Sequence, residues 1–371
     1  MPSEAEVRRS SVRHPDLEVI SSAAPALAES GSITKGTHTM HLTRLRKGGA
    51  VGLVAAIALL ASSCSQGGAP DNSADTSGGS GGAGDNSGYT IAMITHETPG
   101  DTFWDKVKNG AQQAAKDTGV TLKYSNDPEA PKQAVLIQNA VDSKVSGIAT
   151  TLVTPDALAG SVKAATTAGI PVVGFNSGID QYQKLGALMY FGSDETLAGQ
   201  TAGQRIGQAG AKHPLCVIQQ AGSVALEARC AGVKSAVPGT ENIQVNGADD
   251  AAVATTLQAK LSQDKSIDYV ITLGAPIAVD ALKAMDAAGT KAKLVTFDLN
   301  AEAAQDIQNG KIEFSIDQQP YVQGYMAVMS LYLYLKNGND IGGGKAVLTG
   351  PSFVDKNNID KILPFTKNNT R

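Results

Sequence analysis

The chain reads YTIAMIT at residues 89–95 and TFWDKVKNGAQQAAKDTG at residues 102–119. The first run is almost wholly apolar, which predicts a buried strand. The second keeps apolar residues at helical spacing from Phe103 to Ala114 and ends on Gly119, a residue that suits the left-handed cap of a helix. A buried strand followed at once by a helix is the repeating unit of a parallel α/β sheet.

The alternation of strand and helix continues along most of the chain. The sequence predicts strands at 120–124, 147–152 and 170–175 with helices at 131–144 and 155–168, then strands at 215–219, 243–246, 269–273 and 293–297 with helices at 225–237, 251–263 and 277–288. The two series meet near residues 191–194. Because such repeats form parallel sheets with right-handed crossovers, the predicted fold class is α/β with two doubly wound parallel-sheet lobes.

Candidate ligand residues lie in loops that follow strands, because ligands of doubly wound sheets bind beyond the carboxyl ends of the strands. Phe103 and Trp104 open a helix, where a pair of rings can sandwich the apolar face of a sugar ring while Asp101 accepts hydrogen bonds from hydroxyls. The alternative is that both rings belong to the core. Asp298 stands at a later strand end, and its alternative role is to cap a helix at 301–308.

Asn176 and Arg229 complete the polar candidates from the loops. An amide offers both a donor and an acceptor to a hydroxyl, and a guanidinium group forms stronger, charge-assisted hydrogen bonds. The alternative for Arg229 is a surface ion pair. We expect Arg229→Ala or Asp298→Ala to abolish ligand binding while leaving the melting temperature of the unliganded protein nearly unchanged.

The composition argues against several classes of function. The net charge is −4 and 18% of the residues are charged, so the chain has no basic surplus with which to bind nucleic acid. Beyond residue 64 the histidines are His96 and His213, and the sequence shows no nucleophile elbow, zinc-ligand spacing or phosphate loop. We therefore predict that the protein is not an enzyme and has no catalytic residues, cofactor or metal site.

Cys216 and Cys230 are the cysteines that follow residue 64. An even pair in an oxidising exterior is a candidate disulfide. Closing a loop of about 15 residues contributes ~3 kcal/mol in the chain-entropy model. The alternative is a pair of buried thiols on a strand and the following helix.

The first 88 residues differ in composition from the rest. Residues 1–39 carry no apolar periodicity, and we interpret them as an over-extended reading frame or a disordered leader, with a functional extension as the alternative. Residues 65–88 are rich in Gly and Ser, so residues 64–88 are predicted to form a flexible tether.

Residues 40–63 have the order of a secretory signal peptide. Positive residues precede an apolar run at 50–61 that is too short to span a membrane, and the run leads into ASSC at residues 61–64. This ending resembles a bacterial lipoprotein cleavage box, although Leu is usual where Ala61 stands. The resemblance implies a lipid on Cys64 that anchors the protein to the membrane. An ordinary cleaved signal with an incidental cysteine is the alternative.

The chain from residue 89 to about residue 354 resembles the type I periplasmic sugar-binding proteins of ABC importers, especially their ribose-binding branch. The positions that carry the resemblance are, in order, Asp101 where that branch usually has Asn, Phe103-Trp104, Gly222-Ser223 with Arg229, Phe297-Asp298, and Gln318-Gln319-Pro320. The resemblance implies a periplasmic-binding-protein-like type I fold with a three-strand hinge. The lobes would be 89–192 plus 319–346 and 193–318 plus 347–371, with hinges near 191–194, 318–321 and 342–345.

The resemblance also implies a set of ligand residues, to which we add residues of the first loop: Thr95, His96, Asp101, Phe103, Trp104, Asn176, Arg229, Asp298 and Gln318. His96 has no clear match in the family and is placed at the rim of the pocket, with a merely solvated side chain as the alternative. Asn176-Ser177 stands where the ribose branch has Asp-Arg, and Gly274-Ala275-Pro276 stands where the family has Asn-Asp. Loss of the ionic clamp argues against ribose itself and favours a neutral pentose, polyol, inositol or related small sugar.

The predicted function is that of a monomeric, extracytoplasmic solute-binding lipoprotein on the outer face of the cell membrane. It would capture a small neutral sugar or polyol between its lobes and deliver it to an ABC permease. One alternative is a sugar-sensing lipoprotein that acts on a membrane receptor without transport. Another is a transcription regulator built on the same fold, which needs a DNA-reading helix-turn-helix where this chain has a signal peptide and a tether.

Overall fold

The computed structural model describes residues 87–371. The predictions for residues 1–39, for the signal peptide at 40–63, for Cys64 and for the tether as far as residue 86 lie outside the described residues. Within the described part, none of the helices combines the length and the apolar character that a membrane span requires.

The first half of the described chain alternates strands and helices as the sequence predicts. Its elements are β1 (Thr90–Thr95), α1 (Phe103–Thr118), β2 (Thr121–Asn126), α2 (Ala130–Asp142), β3 (Gly147–Thr151), α3 (Pro155–Thr167), β4 (Val172–Phe175) and β5 (Met189–Ser193). Helix α1 ends at Gly119, which adopts the left-handed conformation expected of a C-cap.

The second half repeats the pattern and then adds two crossings. Its elements are α4 (Glu195–Gln208), β6 (Pro214–Ile218), α5 (Val224–Ala236), β7 (Glu241–Gln244), α6 (Asp250–Gln263), β8 (Tyr269–Thr272), α7 (Ala275–Ala288), β9 (Lys293–Phe297), α8 (Ala301–Gln308), β10 (Ile312–Asp317), α9 (Pro320–Asn337), β11 (Val347–Gly350), β12 (Ser352–Asp355) and α10 (Ile359–Lys367).

The strands form two six-stranded sheets, one in each lobe. Their orders are β11-β5-β4-β3-β1-β2 and β12-β10-β9-β8-β6-β7. Neighbouring strands run parallel except β12, which is antiparallel to β10. Helix α9 packs on α1 in the first lobe and α4 packs on α5 in the second, so the chain crosses between the lobes after β5, after β10 and after β11.

The third crossing lies later in the chain than the sequence suggested. We placed it near residues 342–345 and assigned everything from residue 347 to the second lobe. Instead β11 is a strand of the first sheet, with Val347 opposite Phe191 of β5, and the chain crosses only between β11 and β12. The reason is that β5 would otherwise be an unpaired edge, and Val347 packs against the first lobe's core.

Both faces of each sheet are covered, which explains why the strands are continuously apolar. In β1, Ile91 and Met93 face one core cluster, while Ala92 and Ile94 face the other. The helices that form these layers leave the carboxyl ends of the strands free. Those ends are where the predicted site residues lie.

Cys216 of β6 and Cys230 of α5 are joined by a disulfide, with their Cα atoms 5.8 Å apart. Both cysteines are buried in a core cluster of the second lobe. Because Cys230 directly follows Arg229, the bond fixes α5 to the sheet next to that arginine.

Candidate functional site

A cavity of about 630 Å³ lies between the carboxyl ends of the two sheets, within the range usual for small-molecule sites. Loops from both lobes line it. Most of the residues predicted from the sequence are brought together there: His96, Asp101, Phe103, Trp104, Asn176, Arg229, Asp298 and Gln318.

Thr95 is the predicted residue that does not line the cavity. It is the last residue of β1, and its hydroxyl is hydrogen-bonded to the hydroxyl of Tyr124 on the neighbouring strand at 2.7 Å. Its side chain is fully buried. The alternation of side chains along the strand therefore directs Thr95 into the lobe, whereas His96 reaches the cavity.

The aromatic wall consists of His96, Phe103 and Trp104. The Trp104 ring meets the Phe103 ring at 82° with centroids 5.1 Å apart, and meets the His96 ring at 79° and 4.8 Å. No ring of a ligand fits between Phe103 and Trp104, so they form one wall and not the two sides of a sandwich. Both also pack in the first lobe's core, as the alternative interpretation held.

His96 is part of this wall and not of an exposed rim. Its Nδ1 is hydrogen-bonded to the hydroxyl of Thr151 at 2.8 Å. Burial lowers the pKa of His96 to about 3, so the ring is neutral at physiological pH. A neutral imidazole can hold a ligand hydroxyl without bringing a charge into the cavity.

Asp101 stands beside this wall, two residues before the first residue of α1. Its Oδ1 accepts a hydrogen bond from the backbone N–H of Phe103 at 3.0 Å. Burial raises the pKa of Asp101, against the opposing effect of that hydrogen bond. One carboxylate oxygen thus orders the helix start, and the residue still lines the cavity.

Arg229 is buried between two carboxylates on the opposite wall. Its Nε donates to Glu195 at 2.5 Å, and its Nη1 donates to the carbonyl of Leu273 at 3.0 Å and lies 3.8 Å from a carboxylate oxygen of Asp298. The guanidinium also covers the Phe297 ring at 4.5 Å. The alternative of a surface ion pair is therefore wrong. Further N–H groups of Arg229 remain available to a ligand.

Asp298 lines the cavity and does not cap α8. Asn300 caps that helix, accepting a hydrogen bond from the N–H of Ala303 at 2.7 Å. Burial raises the pKa of Asp298 to about 7, although Arg229 and Gln318 act to lower it. This carboxyl group is therefore poised between its protonated and ionised forms near neutral pH.

Gln318 connects the two lobes at the hinge. Its Nε2 donates to both carboxylate oxygens of Asp298, at 3.0 and 3.2 Å. Its Oε1 accepts from Nδ2 of Asn176 at 3.1 Å and from Nε2 of Gln323 at 2.9 Å. Asn176 belongs to the first lobe and Asp298 to the second, so this amide chain sets the distance between the two walls.

Several residues that line or support the site were not predicted from the sequence, and three of them bear on its chemistry. Glu195 pairs with Arg229, although 34 positions separate them. Lys106 is buried on α1 and donates to the carbonyl of Thr102 at 3.1 Å. Gln219 lines the cavity immediately after β6, so the rule that ligands bind at strand ends was the signal that could have found it.

One group of potential metal ligands exists in the described residues, and it lies away from the cavity. It consists of His213, Glu241 and Asp264. The ammonium of Lys260 is 2.7 Å from Glu241 and 3.6 Å from Asp264, so both carboxylates already share a protein cation.

Comparison with known proteins identifies a family for this two-lobed chain. Residues 91–340 match the family described as periplasmic binding protein domain. The chain belongs to this family. The prediction of a type I periplasmic sugar-binding fold is thereby confirmed, as is the prediction that the protein is not an enzyme, because members of the family bind substrates for transport.

Among curated relatives, this periplasmic binding protein is 26% identical over 306 residues to the xylose/arabinose-binding protein XylF of Sulfolobus acidocaldarius, covering 74% of this chain and 73% of that one. It is also 26% identical over 258 residues to the ribose import binding protein RbsB of Haemophilus influenzae, covering 66% and 85%.

Among solved structures, a carbohydrate transporter from Acidothermus cellulolyticus in complex with myo-inositol is 57% identical, with a TM-score of 0.76 over 76% of this periplasmic binding protein and 99% of that chain. A solute-binding protein from Agrobacterium vitis with bound D-fucose is 26% identical, with a TM-score of 0.67 over 75% and 99%.

Proposed function

We propose that this protein captures a small neutral cyclitol or sugar in its interlobe cavity and delivers it to an ABC permease. The observation that carries the proposal is the cavity itself, where the aromatic wall of the first lobe faces Arg229 and Asp298 of the second. Aromatic rings suit the C–H face of a saturated ring, and charge-assisted donors and acceptors suit its hydroxyls. The likeness to a myo-inositol complex makes myo-inositol the first ligand to test.

The charge distribution supports a neutral ligand. Arg229 is already paired with Glu195 and close to Asp298, so the described residues that line the cavity offer no free cation to an anionic ligand. Hydrogen-bonding capacity remains open, because Arg229 has N–H groups that its protein partners do not use. A ligand rich in hydroxyls can accept hydrogen bonds from these groups.

Closure of the lobes around the ligand supports delivery to a permease. In the structure, the N–H of Val224 in the second lobe donates to the carbonyl of Val153 in the first at 3.3 Å. A ligand that contacts both walls stabilises this closed arrangement over an open one, and a permease can distinguish the two. We propose that the protein acts as a monomer in this cycle.

The binding experiment uses calorimetry and thermal shift with myo-inositol, D-arabinose, D-xylose, D-fucose and D-ribose. Trp104 is the only tryptophan of the chain, so ligand binding should also change its fluorescence. We expect at least one compound to bind with a micromolar or tighter dissociation constant. Absence of any thermal shift or fluorescence change across this panel would contradict the proposal.

Membrane attachment through a lipid on Cys64 forms the second part of the proposal. Two or more acyl chains give stable anchoring, whereas the unlipidated protein would be released. We expect the wild-type chain to fractionate with membranes and Cys64→Ser to appear in the soluble extracytoplasmic fraction. Uptake of labelled ligand, measured with and without the protein, separates transport from receptor signalling.

A further inference from the structure

The cavity extends along the carboxyl edge of the second sheet well beyond the aromatic and charged residues. Its lining includes residues that follow β10, β9, β8, β6 and β7, which stand side by side in that sheet. Neighbouring strands are about 4.8 Å apart, so four spacings give a trough of roughly 19 Å. A six-membered ring with its hydroxyls measures ~7 Å, which is less than two strand spacings.

The volume of the cavity also exceeds what a single six-membered ring occupies. At about 30 Å³ for each water in the liquid, a space of 630 Å³ corresponds to roughly 20 water molecules. A single cyclitol or hexose has ~12 non-hydrogen atoms, so it fills only part of that space. Arg229, Asp298 and Gln318 gather at the hinge end. The remaining part, which we name the distal arm, is lined by Gln219, Asn246, Gly247, Ala248 and Gly274.

The distal arm contains a hydrogen-bond acceptor that is held in place without a partner. The N–H of Gly247 donates to the carbonyl of Gln219 at 3.0 Å, and a Cβ on Gly247 would lie 2.9 Å from the Cβ of Gln219. A Cβ on Gly274 would lie 3.1 Å from Nε2 of Gln219. The two glycines therefore let two loops close around this side chain, whose Oε1 is buried and unpaired.

The chemistry of the distal arm selects a neutral hydroxylated group. The side-chain amide of Gln219 lines the distal arm, and an amide suits a sugar hydroxyl, which can both donate and accept a hydrogen bond. Asp249 and Asp250 also line the cavity there, and in the described part of the chain no Lys or Arg joins them. An anionic substituent would thus meet two carboxylates and no cation.

On the basis of the function proposed above, we propose that the cleft accepts a glycoside, with one ring at the hinge end and a second hydroxylated ring in the distal arm. The first ring contacts Trp104 and Arg229. The second forms a hydrogen bond through a hydroxyl with the side-chain amide of Gln219, which lines the distal arm. Asn246 and Ala248 are exposed, so the distal arm opens to solvent and admits the second ring without a change in the hinge end.

The test compares each ring compound with a matching glycoside by calorimetry: myo-inositol with galactinol, D-xylose with xylobiose, and D-galactose with melibiose. For the ring that binds, we expect its glycoside to bind about tenfold more tightly, as one or two added hydrogen bonds allow. Ala248→Phe fills the exposed end of the distal arm and should weaken the glycoside at least tenfold while leaving the ring compound within twofold. Gln219→Ala should weaken only the glycoside, by about fivefold.

Gln263→Ala is the matched control, because Gln263 is exposed and lies outside the cavity. Circular dichroism and melting curves establish that each variant is folded. If a ring compound binds and its glycoside fails to compete at millimolar concentration, the distal arm is not a subsite and the proposed function still stands. Equal losses for both ligands in Ala248→Phe also overturn the subsite. If no ring compound and no glycoside binds, the proposed function itself fails.

Discussion

At the scale of single residues, burial determines how the charged side chains of the cleft behave. Arg229, Glu195 and Asp298 are nearly inaccessible to water. The guanidinium of Arg229 lies close to both carboxyl groups and so stabilises their ionised forms. Burial raises the pKa of Glu195, and the nearby guanidinium of Arg229 opposes that shift. A buried ion pair of this kind contributes little net stability while intact, but removing one partner is costly.

Arg229→Ala should therefore destabilise the unliganded protein, contrary to our expectation from the sequence. The variant leaves Glu195 and Asp298 buried without their cation, which typically costs about 3–5 kcal/mol. Urea unfolding of the unliganded protein measures this loss, and calorimetry should show that ligand binding is abolished.

Arg229→Lys is the control for charge without guanidinium geometry. It should recover part of the stability but little of the affinity, because lysine cannot donate to Glu195 and to a ligand through one planar fork. An unfolding midpoint for Arg229→Ala equal to that of wild type would show that the buried charges do not depend on one another.

Asp298 should make ligand affinity depend on pH. Its pKa is about 7 in the unliganded protein, and a ligand hydroxyl donates best to the ionised carboxylate. Below pH 7 binding must release a proton, so the dissociation constant should rise by up to about tenfold for each unit of decreasing pH and level off above pH 7. Calorimetry from pH 5 to pH 8 provides the measurement.

Asp298→Asn is the control for this pH dependence, which it should remove. The ionisable groups around Asp298 are Arg229, Glu195, Asp317 and Lys106. His96 does not contribute in this range, because its pKa is about 3. The same raised pKa implies that Asp298 lowers the stability of the unliganded protein as pH rises from about 4 to about 7. If the dissociation constant of the wild type does not change between pH 5 and pH 8, ligand binding does not depend on ionisation of Asp298.

At the scale of helices and strands, glycines bring the helices that carry the site into close contact. A Cβ on Gly199 of α4 would lie 2.0 Å from the carbonyl oxygen of Arg229 on α5. In the first lobe, a Cβ on Gly110 of α1 would lie 2.0 Å from the carbonyl oxygen of Tyr321 on α9. These contacts fix α4, which begins with Glu195, and α1, which carries Trp104, to their neighbours.

Gly199→Ala should push α4 away from α5 and lengthen the contact between Glu195 and Arg229. We expect a loss of about 1–3 kcal/mol in unfolding free energy, the usual cost of overpacking, together with weaker ligand binding. Gly160→Ala on α3 is the matched control, because no atom lies within 4 Å of its added Cβ. It should be neutral or stabilising by about 0.5–1 kcal/mol. Equal effects of the two substitutions in urea unfolding would contradict this account.

The alternating elements could be predicted to within a few residues because their apolar spacing is local. The first helix was predicted at 102–119 and is observed at Phe103–Thr118. Strand β11 was not predicted, since Val347–Gly350 is short and partly exposed and its assignment depends on pairing with the distant β5. The burial of Thr95 likewise depends on tertiary packing, since its hydroxyl pairs with Tyr124 of the neighbouring β2.

At the scale of the whole molecule, three crossings allow the lobes to move as units. The network of Asn176, Gln318 and Asp298 lies beside the second crossing, where β10 leads into α9. A ligand that contacts both walls adds its own contacts to this network in the closed arrangement. The free energy of closure and the affinity for ligand are therefore linked.

Small-angle X-ray scattering should show a smaller radius of gyration with saturating ligand than without it. Gln318→Ala removes the amide that joins Asn176 to Asp298, and we expect it to weaken binding roughly tenfold through loss of these hydrogen bonds. Identical scattering curves with and without a ligand that binds by calorimetry would show that closure is not coupled to binding.

The order of strands, helices and loop residues was readable from the chain, because hydrophobic spacing and turn residues act over a few positions. That order was enough to indicate the two-lobed architecture, the sugar-binding resemblance and eight of the residues that line the cavity. The pairing of Arg229 with Glu195, the corner formed by Phe103 and Trp104, the place of β11 and the length of the distal arm depend on which distant segments come together. These features follow from three-dimensional packing. Burial raises the free-energy cost of each charge and each unpaired polar group, and a partner brought close by the fold lowers that cost.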